Sequence, residues 1–230
     1  MPKKNTLDSY LSDDRYLKPA IERMRMKEPL QASDKELAHF RYNHVGFLHL
    51  ENAEISKPLL WQLYYFHTKR ILSIYYVLDE IRYLEGITKA TRTKKEEEFK
   101  GQYLRGLWHK HFYSDMFFYR NIINYWEMEK KINSKLDKMI DEIFQSSKSD
   151  YITEEIINLI VYRLTDDPFR NKILRGTCTG EWIVFAKINN KNYYLVLGQH
   201  NDDENICKLI KCYCLTEYPE LKTVIEEKTA

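Results

Sequence analysis

The sequence predicts an α+β fold that is predominantly α-helical, with an N-terminal helical bundle followed by a small α-β-β-α module centred on a β-hairpin at residues 181–199. Three observations support this prediction. Glycine and proline are scarce (7 and 6 of 230 residues), which favours long helices over a many-turned sandwich. Two long aromatic-rich segments place apolar residues at helical spacing. Near the C-terminus, two apolar runs flank an Asn-Asn pair, which is typical of a tight hairpin.

The first long helix is predicted from Ser56 to Glu85. Ser56 is a favourable N-cap, Pro58 fits the first turn, and Gly86 is a suitable residue just beyond the C-terminus. Apolar residues recur along the segment at the spacing of an amphipathic helix. Additional aromatic residues on its other faces indicate burial on more than one side.

A second long helix is predicted from about Lys95 to Phe144, with an interruption near Gly106 or Asn133. Its centre is again rich in aromatic residues. Two long helices with wide apolar faces suggest an antiparallel pair at the heart of a bundle. A short helix around residues 14–26 is expected within a polar, frayed N-terminal segment of about 30 residues.

The polar stretch at residues 146–150 is the best linker in the chain. It divides the sequence into a helical domain at 1–145 and the α-β-β-α module at 151–230. In the module, helices are predicted at 153–164, from Asp166 onward, and at 203–214.

The hairpin register follows from its turn. Asn189-Asn190 suits a two-residue type I′ turn, because asparagine tolerates the positive φ angles that this turn requires. The predicted pairs are Ile188 with Lys191, Ala186 with Tyr193, Phe185 with Tyr194, Val184 with Leu195, Ile183 with Val196 and Trp182 with Leu197. Both faces are apolar, so helices 153–164 and 203–214 are expected to cover them. Any chemistry should then lie at the hairpin's ends, around residues 175–181 and His200.

Composition restricts the class of protein. The net charge is +2, and the first 150 residues hold 26 Lys or Arg against 22 Asp or Glu, too small an excess to bind nucleic acid by charge alone. We find no secretion signal and no uncharged stretch of 18 residues, so we expect a cytoplasmic protein without a membrane partner. The four cysteines are then expected to be free thiols.

The usual catalytic motifs are absent from the sequence: a phosphate-binding glycine loop, a nucleophile elbow, HExxH and CxxC. Cys207, Cys212 and Cys214, with His200 nearby, have the residue types of a zinc site. Their spacing is unusual for zinc, however, and small buried thiols on an amphipathic helix explain them equally well. We therefore predict no metal and no cofactor.

Two groups of residues are candidates for acid–base chemistry. Arg105 and His111 resemble the R-x4–6-H motif of HEPN ribonucleases, although Gly106 replaces the polar residue usual after the arginine. The resemblance implies metal-independent RNA cleavage, with histidine in acid–base chemistry and arginine steadying the phosphate. Alternatively, Arg105, His109 and His111 supply polar tips around an aromatic core.

The other group lies beside the hairpin. Arg170, Arg175 and His200, with Arg163 and Lys172, resemble the basic residues of small ribonuclease toxins of the RelE and barnase type. The resemblance implies catalysis without metal. Alternatively, these are solvated charges on a helix face, with His200 capping a loop.

Two functions remain open. The first is a non-catalytic macromolecule-binding or regulatory protein, with the helical half as its surface and a protein, RNA or second copy as its partner. This predicts an exposed apolar patch. The alternative is a metal-independent ribonuclease of toxin or anti-phage type, with His200, Arg175, Arg170, Arg105 and His111 as catalytic residues. This predicts His111 or His200 beside an arginine in a concave site.

Overall fold

The structure is a computed structural model that describes residues 32–114, 117–126, 132–147, 151–178 and 180–226. Helices and a five-stranded sheet together form an α+β fold, as predicted. The helices are α1 (Asp34–Asn43), α2 (Lys57–Thr68), α3 (Tyr75–Leu84), α4 (Phe118–Trp126), α5 (Ile132–Ser147), α6 (Glu154–Leu174), α7 (Asp203–Leu209), α8 (Leu215–Glu217) and α9 (Leu221–Glu226), with a 3-10 turn at Val45–Phe47 and a π-helical turn at Ile210–Cys214. The strands are β1 (Glu54–Ile55), β2 (Glu97–Glu98), β3 (Trp108–Phe112), β4 (Glu181–Ile188) and β5 (Lys191–Gly198).

The sheet has the strand order β1-β5-β4-β3-β2. Strand β1 runs parallel to β5, and the other neighbours are antiparallel. One face packs on residues of α1, α2 and α3, and the other on α7, the π-helical turn and α9. The hairpin β4–β5 therefore lies in the middle of the sheet, between two helical layers.

The predicted hairpin turn is confirmed. Asn189 and Asn190 both have positive φ, at 50° and 61°, and the pairs nearest the turn match the predicted register through Phe185 and Tyr194. A β-bulge then shifts the pairing, so that Val184 lies opposite Val196 and Trp182 opposite Gly198. The predicted pairs beyond Phe185 are therefore wrong.

The bulge has a physical reason. Regular alternation would send Leu195 and Val196 to opposite faces of the sheet. Because of the bulge, both side chains are buried in the cluster facing α7 and α9, while Tyr194 and Leu197 belong to the cluster on the other face. One extra residue thus puts two adjacent apolar side chains in the same core.

The prediction of one continuous helix from Ser56 to Glu85 is wrong. Ser56 does cap α2, accepting a hydrogen bond from the N–H of Leu59, but the helix ends at Thr68, and Arg70 adopts a φ of 52°. After this turn α3 packs back on the same core as α2. Since both helices bury an apolar face there, their periodicity resembles that of a single helix.

The second predicted helix, from Lys95 to Phe144, is also wrong. Its first part contains β2 and β3, and only the later part is helical, as α4 and α5. The segment Trp108–Phe112 alternates between the two faces of the sheet and pairs with β4 along its whole length. Residues 105–111 therefore lack the helical setting that the resemblance to HEPN ribonucleases implies.

Helix α6 is one continuous helix across Pro168, where two were predicted. Its residues Ile156, Ile160 and Leu164 pack with α4 and α5 in a third apolar cluster, so this helix does not cover the hairpin. The helix predicted at 203–214 is observed as α7 and the π-helical turn, and it does cover one sheet face.

The helix predicted around residues 14–26 and part of the predicted linker lie outside the described residues. The division into two domains at 146–150 stays a prediction, although the sheet takes strands from both sides of that segment. Among the residues that the structure describes, none of the helices has the length and apolar character needed to span a membrane.

Candidate active site

Two histidines meet where β3, β4 and the end of β5 come together. His111 on β3 pairs with Trp182 on β4, and His200 follows β5. The His111 and His200 rings stack, with centroids 5.5 Å apart and an interplanar angle of 23°. Trp182 contacts the His200 ring at a centroid distance of 4.2 Å. Strand pairing thus brings together two of the residues that the sequence singles out.

Both histidines bind one backbone carbonyl. The O atom of Gly180 lies 2.8 Å from Nδ1 of His111 and 3.0 Å from Nε2 of His200. A carbonyl oxygen can only accept, so each of these nitrogens carries a proton and donates. In the neutral rings the opposite nitrogens, Nε2 of His111 and Nδ1 of His200, are therefore the ones that carry no proton.

The surroundings hold this pair in place. The carboxylate of Glu181 is buried and accepts a hydrogen bond from the backbone N–H of His200 at 2.9 Å. His109 lies two residues before His111 on the same face of β3, with ring centroids 5.5 Å apart. His111 is 8% exposed, whereas His200 is exposed to solvent. The site therefore has one sheltered and one accessible imidazole.

Two polar atoms beside the pair are buried and have no hydrogen-bond partner among the described residues: Nδ1 of His109 and Nε1 of Trp182. Leaving a buried polar atom unpaired costs about 1–3 kcal/mol. Buried polar atoms without a partner are rare in folded proteins, so each one needs a specific explanation, such as a functional role or a bound water. These two atoms show that polar groups are buried among the apolar side chains at this end of the sheet.

Burial controls the charge of the sheltered ring. Desolvation lowers the pKa of His111 to about 4, against the opposing effect of its hydrogen bond to Gly180. The nearby charges of His200, His109 and Lys94 lower it further. Desolvation also lowers the pKa of His109. At neutral pH, His111 is therefore neutral and can accept a proton.

This pKa predicts a pH-dependent stability. The folded pKa of His111 lies below its unfolded value near 6.5, so the unfolded chain binds the proton more tightly. The contribution is fully present above pH 6.5 and is lost as the pH falls toward 4. It amounts to about 3 kcal/mol. Chemical denaturation at pH 7 and pH 4 should show a smaller pH dependence for His111→Gln than for the wild type.

The exposed histidine of α1 provides the control for this measurement. His39→Gln should keep the wild-type pH dependence, because His39 is exposed. Equal pH dependence in His111→Gln and the wild type would contradict the assignment of a buried, neutral His111.

The predicted arginines lie on other elements. Arg105 is exposed in the turn before β3, Arg170 is exposed on α6, and Arg175 is the exposed C-cap residue of α6. An arginine beside the histidine pair, which the ribonuclease hypothesis requires, stays a prediction.

Sequence reasoning pointed to residues 175–181, which include Gly180 and Glu181, but gave neither of these two a role. It missed Trp182 as part of the site and gave His109 only a supporting role. The alternation of Trp108 to Phe112 is the signal that could have found the site, because it predicts a strand with both histidines on one face. Their proximity to Trp182 and His200 depends on pairing with a distant strand, which no local pattern contains.

The cysteines do not form a cluster with ligand geometry. Cys178, Cys207 and Cys214 are buried free thiols, and Cys212 is exposed. Within the described part of the chain, no three His, Cys, Asp or Glu side chains are placed to hold a metal ion. Desolvation raises the pKa of Cys178 to about 11 and that of Cys214 to about 12, so both thiols are protonated at neutral pH.

Comparison with known proteins gives no relative: no family model, curated protein or solved structure matches this chain. Fold alone does not define an activity. The function must therefore be argued from the chemistry of the histidine pair and its surroundings.

Proposed function

We propose that this protein is a metal-independent ribonuclease in which His111 and His200 are the acid–base pair. The observation that carries the proposal is the stacked arrangement of the two rings, both donating to the carbonyl of Gly180. This arrangement fixes the tautomers, so that in each neutral ring the nitrogen without a proton is the one opposite the donor to Gly180. Two positioned imidazoles are sufficient to move protons in a phosphodiester cleavage.

The reaction uses the 2′-hydroxyl of the RNA itself. His111 accepts the proton of that hydroxyl on Nε2, and the 2′ oxygen forms a bond to phosphorus. The bond from phosphorus to the 5′ oxygen breaks, and a protonated His200 gives the leaving oxygen its proton from Nδ1. The products are a 2′,3′-cyclic phosphate and a 5′-hydroxyl. Protons balance, because one imidazole gains the proton that the other loses.

Exposure and pKa support this assignment of roles. Because its pKa is lowered to about 4, the His111 ring is neutral at physiological pH and can accept a proton. His200 lies at the surface, where it can exchange protons with solvent between turnovers. The Gly180 carbonyl accepts a hydrogen bond from both rings, so it favours the cationic form that each ring adopts during one half of the cycle.

The test is cleavage of a labelled single-stranded RNA by the purified protein in the presence of EDTA. We expect His111→Ala and His200→Ala each to reduce the cleavage rate by about 10²–10⁴-fold, the usual contribution of general acid–base catalysis. A DNA strand of the same sequence should stay intact, because it lacks the attacking 2′-hydroxyl.

The matched control is His39→Ala, which removes an exposed histidine of α1 and should leave the rate unchanged. Product ends can be identified by mass, since a cyclic phosphate differs from a linear one by one water. Absence of cleavage by the wild type, or unchanged rates in both active-site variants, would refute the proposal.

A second candidate is a non-catalytic binding protein that uses α6 as its contact surface. The observation that favours it is a set of apolar side chains exposed on α6: Ile157, Val161 and Tyr162, exposed by 50%, 51% and 41%. A surface helix with such a face is typical of an interaction site. The cleavage assay separates the two candidates, because this one predicts that the wild type leaves RNA intact.

A further inference from the structure

The turn that follows α1 is held by a histidine side chain. Nδ1 of His44 accepts a hydrogen bond from the backbone N–H of Gly46 at 3.0 Å. A ring nitrogen that accepts carries no proton, so this bond requires a neutral His44 with its proton on Nε2. The same turn buries Phe47 and Leu50 in the apolar cluster that contains residues of α2 and α3.

A second imidazole lies against the first. The ring centroids of His44 and His67 are 4.7 Å apart, with an interplanar angle of 85°, and His67 is an exposed residue in the last turn of α2. Phe40 of α1 contacts both rings, at centroid distances of 5.3 Å and 5.4 Å. Two cationic imidazoles at this distance would repel each other. A proton on His67 therefore opposes a proton on His44.

On the α3 side, the titratable and charged neighbours of the turn are Tyr75, Arg82 and Asp79. The ring of Tyr75 contacts His44 at a centroid distance of 5.5 Å and is uncharged at neutral pH. Arg82 donates a hydrogen bond to the carbonyl of Gly46, and its guanidinium pairs with Asp79 at 2.8 Å. The carboxylate of this group therefore compensates Arg82 and not an imidazole.

The packing around the hydrogen bond is close. A Cβ atom on Gly46 would lie 2.8 Å from both Nδ1 of His44 and Cδ1 of Leu78, so the turn, the imidazole and α3 are in tight contact. Protonation would add a hydrogen to Nδ1 and aim it at the N–H of Gly46, so that two donors would face each other. The hydrogen bond is then lost, and the ring has to move away from the turn.

We propose that His44 is a pH-sensitive latch, whose protonation releases the turn at Val45–Phe47 from α2 and α3. This inference is independent of the proposed ribonuclease function. Desolvation lowers the pKa of His44 below its ordinary value of 6.5, and the positive charge of His67 lowers it further. The released chain therefore binds the proton more tightly. The stabilisation by the latch is fully present above pH 6.5 and is lost as the pH falls through the lowered pKa.

Hydrogen exchange followed by mass spectrometry tests the latch in the full-length protein, at about pH 7.5 and about pH 5.5, on either side of the ordinary histidine pKa. The peptides to follow cover residues 44–50, where the amides of Phe47, Leu48 and Leu50 are bonded within the turn. After correction for the intrinsic exchange rate, their protection in the wild type should fall several-fold at the lower pH.

The decisive variant is His44→Asn. Asparagine is a favourable cap whose side-chain oxygen can accept from the N–H of Gly46, but it does not titrate. This variant should therefore keep the turn and lose most of the pH dependence. His39→Asn replaces an exposed histidine of α1 and should behave as the wild type does. Comparing variants in the same peptides removes any pH dependence that the rest of the protein contributes.

Two further measurements test the latch without relying on His44→Asn. His67→Gln removes the neighbouring charge, so its loss of protection should be smaller than that of the wild type. The ¹⁵N chemical shifts of the His44 ring at the higher pH should show the tautomer protonated on Nε2. The proposal is overturned by a ring protonated on Nδ1, by wild-type protection that is independent of pH, or by equal losses in the wild type and His44→Asn.

Discussion

Lys110→Met is expected to lower the free energy of unfolding by about 3–5 kcal/mol. The ammonium of Lys110 is fully buried and lies 3.1 Å from the carboxylate of Glu80, which is also buried. It donates further hydrogen bonds to the hydroxyls of Thr91 and Thr93, at 3.0 Å and 2.8 Å. Without the lysine, Glu80 would keep an uncompensated charge in the core.

The pKa of Lys110 reflects the same balance. Desolvation lowers it, and the charge of Glu80 and its hydrogen bond oppose that change. Removing one partner therefore exposes the full desolvation cost of the other. Replacing both with apolar residues avoids that cost, because a buried ion pair is often no more stable than well-packed apolar side chains.

Urea denaturation of three variants measures this effect. Lys110→Met should be strongly destabilised, and the double variant Lys110→Met/Glu80→Met should recover part of the loss. Lys208→Met breaks an exposed pair with Glu204 and should change stability by at most about 1 kcal/mol. A Lys110→Met protein as stable as the Lys208→Met control would show that the buried pair has little energetic role.

The second large effect is expected for Gly180→Ala. A Cβ atom at this position would lie 1.8 Å from the backbone oxygen of Phe112, far inside van der Waals contact. Gly180 is not among the glycines with positive φ, so the obstacle is the close approach of β3 and not the backbone conformation. We expect a loss of stability of about 3 kcal/mol, at the upper end for an overpacked core site.

The same substitution should also disturb the histidine pair. Any shift that relieves the clash moves the Gly180 carbonyl, to which both His111 and His200 are bound. If the protein is the proposed ribonuclease, the RNA cleavage rate of the variant should therefore fall even where the variant is still folded. The rate is measured well below the denaturation midpoint. Gly101→Ala is the control, because its nearest neighbour would be an Asp203 oxygen at 3.4 Å, an ordinary contact. Cleavage by Gly180→Ala at the rate of this control would argue against the role of the carbonyl.

The sequence predicts those features whose cause is local. The turn at Asn189-Asn190 is predicted correctly, because positive φ at both positions depends on two neighbouring residues. The N-cap at Ser56 is likewise a property of one turn of helix. His111 and His200 are selected for their residue type, and the structure then stacks them against each other.

Other features depend on partners far along the chain. Strand β3 lies within the long aromatic-rich segment that was predicted to be a helix, and it forms a strand because β4 provides hydrogen bonds along its full length. The bulge in the hairpin exists because Leu195 and Val196 fill the same core. Neither the partner strand nor the shape of that core is encoded in the local pattern.

The conformation of the Asn189-Asn190 turn therefore follows from the sequence alone. The sequence alone also identifies the histidines as candidates for acid–base chemistry. The candidate site does not, because its residues come from segments separated by many residues and meet only through strand pairing. Gly180 shows the difference most plainly. In the sequence it is one glycine in a turn-rich stretch, whereas in the folded protein its missing side chain lets β3 approach and its carbonyl joins the two histidines.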